Sequence, residues 1–161
     1  MKKMIVIMLT IVLIVLSAAC ANGSGTPEAG GSGETQQEES EMIKMTLKIN
    51  DEEVNVKWED NESVRALYDL AAKGPVTVDT SLYGGFEQVG ELGTALPNND
   101  VDTTTDPGDI VLYSGSSIVV FFGTNSWAYT RLGHIEGRSQ DELRDMLGGS
   151  SVEIEIEIAP R

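Results

Sequence analysis

Apolar and polar residues alternate through "IKMTLKI", residues 43–49, the pattern of a half-buried strand. Asn50-Asp51 supplies turn chemistry, and Val54, Val56 and Trp58 alternate again, which predicts a hairpin. Asp60-Asn61 offers an N-cap to a helix whose Val64, Leu67, Tyr68 and Ala71 share one face and which stops at Gly74-Pro75. "PVTVDTSL" returns to strand, and the stretch from Tyr83 to Asp106, broken by glycines and Pro97, reads as loops with short strand pieces. Ile110–Tyr113 and Ile118–Phe122 are unbroken apolar runs of strand length, so two central strands buried on both faces are expected. Trp127–Ile135 is a further strand. Ser139-Gln140-Asp141-Glu142 is a capping box opening a helix that carries Leu143, Met146 and Leu147 and ends at Gly148-Gly149. "VEIEIEI", residues 152–158, alternates once more.

The terminal strands constrain each other. Glu153, Glu155 and Glu157 stand on one face of the last strand, and Lys44 and Lys48 stand on the polar face of the first. A row of like charges is relieved by opposite charges across a sheet, so these strands are expected to be neighbours that close it. Mostly strands with two short helices predict a mainly β fold, a small closed barrel with helical plugs. The stretch 42–161 is 120 residues and sufficient for one core, and a monomer is expected.

The chain before this domain changes the picture of where it works. Lys2 and Lys3 precede an apolar run from Met4 to Leu16, then Ser17-Ala18-Ala19-Cys20. A run this short, with small residues before a cut, reads as a signal peptide over residues 1–19 rather than a spanning helix. "LSAAC" resembles the lipobox of bacterial lipoproteins, although Ser17 stands where leucine is more usual. Cys20 is therefore the expected lipidation site and mature first residue, and the protein is expected on the extracytoplasmic face of a membrane. Cys20 is the sole cysteine, so no intramolecular disulfide can form. Residues 21–41 lack any large apolar side chain, so 20–41 reads as a lipidated cysteine followed by a disordered tether with an end-to-end distance on the order of 25 Å. The formal charge is −15 at pH 7, and loss of Lys2 and Lys3 takes it to −17. Such a field disfavours nucleic acid as a partner.

Three blocks in series, "YGGFEQVGELGTALP", "GDIVLY" and "IVVFFGTNSWAYTRLGHI", resemble the bacterial cyclophilin-like domain family over residues 43–158. The resemblance implies a closed eight-stranded barrel capped by two helices and brings no established activity. Likeness to the prolyl-isomerising cyclophilins is looser. Their paired phenylalanines are echoed by Phe121-Phe122, and their Phe-Gly-Lys-Val strand end by Leu132-Gly133-His134-Ile135. Their catalytic arginine motif has no counterpart here, since no Lys or Arg occurs between Lys73 and Arg131. That arginine stabilises the twisted peptide bond, whose rotation barrier is about 18–20 kcal/mol, so isomerase turnover of that kind is not expected.

Two stretches are candidate ligand sites. Trp127, Tyr129 and Arg131 fall on one strand face, where two aromatics and a guanidinium can grip a peptide or planar ligand; they equally suit a cross-strand packing ladder. Tyr83-Gly84-Gly85-Phe86 lets backbone approach a ligand closely, or is simply a tight turn. His134, the sole histidine, falls by parity on the face opposite Arg131 and reads as structural or solvent-facing. No catalytic residue set, metal site or cofactor is expected. Asp100, Asp102, Asp106 and Asp109 lack the glycine and glutamate of a calcium loop and read as turn residues. Three functions stay open: a lipid-anchored module binding a small molecule or extended peptide, a divergent prolyl isomerase of exported proteins, and a structural or interaction subunit of an envelope complex.

Overall fold

A computed structural model describes residues 44–158. The expected signal peptide, Cys20 and the tether lie outside the described residues. The described chain runs β1 (Met45–Ile49), β2 (Glu52–Val54), β3 (Val56–Trp58), α1 (Glu62–Ala71), β4 (Val76–Asp79), β5 (Ser81–Tyr83), β6 (Glu87–Glu91), β7 (Val101–Thr104), β8 (Asp109–Tyr113), β9 (Ser117–Phe121), β10 (Ser126–Ile135), α2 (Gln140–Leu147) and β11 (Glu153–Ile158). Among these residues no helix is long and apolar enough to cross a membrane.

The strands form two sheets. One has the order β2-β1-β11-β4; the other has the order β3-β10-β8-β9-β6-β5, with β7 paired to the outer part of β10. The expected closed eight-stranded barrel is corrected here: the fold is mainly β with two helices, but neither sheet closes on itself. The sheets are instead joined by covalent continuity at both edges. β2 pairs with β1, while β3, one residue further on, pairs with β10, so the chain changes sheet at Asn55. β4 pairs with β11 and β5 pairs with β6, so it changes sheet again at Thr80. Strands that bend from one sheet to another make such corners. The predicted hairpin therefore exists only over β1 and β2. The stretch 83–106 is also more regular than expected, because β6 is a full strand between β5 and β9.

The first and last strands are neighbours, as the charge pattern predicts. β1 runs antiparallel to β11, with Thr46 opposite Glu157 and Lys48 opposite Glu155. Lys48 Nζ lies 2.6 Å from Glu157 and 2.9 Å from Glu155. These hydrogen bonds, to Glu157 first and Glu155 second, raise the Lys48 pKa above its ordinary value. Lys44 precedes the strand and forms no ion pair among the described residues.

Between the sheets lies one main core. Leu47, Ile49, Ile154 and Ile156 face it from the first sheet, and Ile110, Leu112, Ile118, Val120 and Leu132 from the second. Both helices plug it, α1 with Val64, Leu67 and Ala71, and α2 with Leu143 and Leu147. Each fully buried aliphatic side chain stabilises the fold by about 1.5–3 kcal/mol. Asn61 caps α1 by accepting from the Val64 amide at 2.9 Å. At α2 the Ser139 amide and hydroxyl both donate to Glu142 Oε2, at 2.7 and 2.6 Å, completing the capping box. The far end of α2 is fastened by Gln88, fully buried, whose Nε2 donates to the carbonyls of Leu147 and Gly149 at 2.6 and 2.7 Å.

β8 and β9 are buried on both faces, as their unbroken apolar runs predict. Their inward residues belong to the main core. Outward, Val111, Val119 and Phe121 join Tyr129 of β10 in a second cluster, with Phe86 and Val89 packed on it. That second layer supports the surface described next.

Candidate ligand cleft on the outer sheet face

Parity along four strands and the end of a fifth brings a set of side chains to the outer face of the larger sheet. Val119 and Val89 stand directly opposite each other on β9 and β6, and Tyr83 of β5 stands opposite Glu87 of β6. Together with Tyr113 of β8, Asn125 before β10, and Trp127 and Tyr129 of β10, they line an open cleft of about 460 Å³. Trp127 is 60% exposed, Tyr83 68% and Tyr113 39%, a high exposure for large aromatic groups that leaves their surfaces free to meet a ligand.

Tyr129 is the fixed element. It is buried, and its ring meets Phe121 edge-on at 5.7 Å and Tyr113 at 6.0 Å between centroids. Asn125 Nδ2 donates to its phenol oxygen at 2.9 Å. Burial, and secondarily the charge of Glu87, push the Tyr129 pKa up, against the opposing hydrogen bond from Asn125.

Glu87 is the chemical feature of the cleft. Its residue is only 4% exposed, yet it lines the cleft, and its Oε2 has no hydrogen-bond partner among the described residues. Burial pushes its pKa up from near 4.5 to about 7. A buried acceptor without a donor is costly, and carboxyls whose pKa burial raises strongly cluster at functional sites.

A second polar group lies further along β10. Asp109, almost wholly buried, takes Arg131 Nη1 at 2.8 Å and His134 Nδ1 at 2.9 Å, and its Oδ2 also accepts from the Asp106 amide at 2.9 Å. Arg131 Nη2 donates to the Thr104 carbonyl at 3.1 Å. Alternation placed Arg131 and His134 on opposite faces, and the structure corrects this. The register with β8 shifts between Arg131 and Gly133, so Val111 and Ile110 oppose them. This bulge makes Leu132 an extra residue, returning His134 to the face of Arg131.

Of the residues singled out in the sequence, Tyr83, Trp127 and Tyr129 meet in the cleft. Gly84 and Gly85 form the turn between β5 and β6 with φ of 61° and 79°, a conformation open to glycine. Phe86 packs on the cluster beneath the cleft, and Arg131 is held outside the cleft lining by Asp109. Glu87, Tyr113 and Asn125 were not singled out. The available signal for Glu87 was its place two residues before Val89, on the same face of a strand, directly after a glycine turn.

A family model described as the Cyclophilin-like family matches residues 47–158. Among solved structures, that of McbB in complex with tryptophan superposes with a TM-score of 0.52 at 12% identity, covering 73% of this chain and 45% of that one. The present chain thus spans less than half of McbB, and the likeness is one of fold. The solution structure of the hypothetical protein AF2241 from Archaeoglobus fulgidus gives a TM-score of 0.49 at 21% identity, over 75% of this chain and 99% of that one. No curated protein matches the chain in sequence.

Proposed function

The chain belongs to the cyclophilin-like family, and we propose that it serves as a lipid-anchored, extracytoplasmic binding module whose ligand, a small molecule or short extended segment, lodges in the aromatic cleft. The observation that carries this reading is the convergence of Tyr83, Tyr113, Trp127 and Tyr129 around a buried carboxyl with an unpartnered oxygen. A mostly apolar, aromatic-lined concavity with a few placed polar groups is the usual form of a ligand site. A second hydrophobic layer of Val111, Val119, Phe121 and Tyr129 packs beneath it. The anchor rests on the order of charged, apolar and small residues up to Cys20.

The isomerase reading has no comparable support. Arg131, the nearest substitute for the missing cationic donor, is engaged by Asp109 and the Thr104 carbonyl. A proline-peptide isomerisation assay is expected to show no turnover; catalysis that disappears in Arg131→Ala with the fold intact would replace the binding reading with the enzyme one.

The binding reading is tested by screening compounds for thermal stabilisation of the full-length protein. A ligand at a hundred times its Kd should add about 2.7 kcal/mol, and the effect should vanish in Trp127→Ala and Tyr83→Ala. A ligand whose stabilisation survives both substitutions would move the site away from this cleft.

A further inference from the structure

We propose that the cleft is built for an organic ammonium that carries an N–H, directed at the Glu87 carboxyl, with its carbon skeleton laid against Tyr83, Tyr113, Trp127 and Tyr129. This rests on the reading of the cleft as the ligand site and names the chemistry of the ligand.

Three observations converge on it. First, Glu87 lines the cleft, and an ionised carboxylate only accepts hydrogen bonds, so it calls for a donor, of which a charged N–H forms the stronger bond. Second, aromatic faces attract cations, and the lining places three tyrosines and a tryptophan around the acid with no Lys or Arg among them to compete. Third, the formal charge of −15 concentrates cations near the protein and repels anions. The N–H requirement sets the ligand class more narrowly than charge does. A quaternary ammonium meets the aromatic faces but has no N–H to give the carboxylate.

The carboxyl makes binding pH-dependent. The titratable groups facing Glu87 within the cleft are the phenols of Tyr83, Tyr113 and Tyr129, and Asn125 carries no charge. With Glu87 half-protonated near pH 7 in the free protein, an arriving ammonium draws it into the ionised form and a proton is released to solvent.

The test is calorimetric titration of the full-length protein with phenethylammonium, N,N,N-trimethylphenethylammonium and neutral 3-phenylpropanol. Phenethylammonium should bind at pH 8 and weaken by about thirtyfold at pH 5.5, as the carboxylate fraction falls. Titrations at pH 6.5 in buffers of different ionisation heat should show proton release. Glu87→Gln should weaken phenethylammonium by about tenfold or more and flatten the pH profile, and the trimethyl compound should bind more weakly than the parent. Undetectable phenethylammonium binding, a flat pH profile in the unmodified protein, equal affinity for the alcohol, or affinity unchanged by Glu87→Gln would each overturn the ammonium proposal. If the alcohol binds equally and Trp127→Ala abolishes its binding, the cleft stands as a ligand site of different chemistry. If binding persists in both Trp127→Ala and Tyr83→Ala, the cleft reading fails with it.

Discussion

His134 Nδ1 lies 2.9 Å from Asp109 Oδ1, although simple alternation along β10 places the imidazole on the opposite side of the sheet from Arg131, which holds the other oxygen of the same carboxylate. Asp109 is the buried member of this trio, while Arg131 and His134 are each partly exposed. Replacing Asp109 with alanine leaves the Asp106 amide without its acceptor and removes the partner of both Arg131 and His134. Urea denaturation should show a loss of about 1–3 kcal/mol. His134→Ala, which removes one exposed contact, should cost less than about 1 kcal/mol.

Glu87 sets a pH dependence of stability. Its folded pKa, about 7, exceeds the unfolded value near 4.5. Between those values the folded state binds more protons than the unfolded one. The carboxyl's contribution is therefore fully favourable below about pH 4.5, is lost as pH rises through 7, and remains lost above it. Glu87→Gln keeps a neutral group of the same shape. At pH 8 it should raise stability by no more than about 3 kcal/mol, and at pH 4 it should change little. Denaturation of both proteins at the two pH values checks this; a variant less stable at pH 8 would contradict it.

Gly90 marks where β6 passes closest to the end of β4. A Cβ there would meet the Val78 side chain, Thr80 Cγ2 at 2.8 Å and the Asp79 carbonyl oxygen at 2.9 Å. Backbone stands on one side, so the strain cannot be relieved by a rotamer change alone. Gly90→Ala should destabilise by about 1–3 kcal/mol and Gly90→Val by more, read as a lowered denaturation midpoint.

The capping box at α2 has a local test. Glu142 accepts from the Ser139 hydroxyl and amide, and these bonds hold its carboxyl below the usual range. Ser139→Ala removes the side-chain cap and should lower stability by about 0.5–2 kcal/mol. Ser139→Thr, whose hydroxyl can both donate to the Glu142 carboxylate and accept from the Glu142 amide, should recover most of the loss.

Cys20→Ser addresses the anchor. If the cysteine carries lipid, the variant should leave the membrane fraction. A variant that remains membrane-bound with its signal cleaved normally would end the lipoprotein proposal.

Several features of the fold are legible in the sequence because their causes are local or repeat regularly. A serine three residues before a glutamate makes its own capping box at Ser139 and Glu142 whatever surrounds it. Unbroken apolar runs mark β8 and β9 as strands covered on both faces, since neither face of such a run can lie in water without cost. The Glu153, Glu155, Glu157 row and Lys48 reveal the β1–β11 pairing, because charge on an alternating strand declares which face it needs. Trp127 and Tyr129 share a face by parity alone, so two of the four aromatic residues of the cleft wall could be read from spacing.

The rest depended on contacts between residues distant in the chain. The bulge at Leu132 turns His134 back beside Arg131; alternation assumes an unbroken register, and register is decided by the partner strand. The changes of sheet at Asn55 and Thr80 leave no gap in the apolar pattern, because the same alternation serves either sheet. Glu87 reads in the sequence as one more acid in an acidic chain. Its burial, and the chemistry that follows, arise only when β5, β9 and β10 set Tyr83, Phe121 and Tyr129 around it, since desolvation belongs to the assembled surroundings of a side chain and not to its neighbours in sequence.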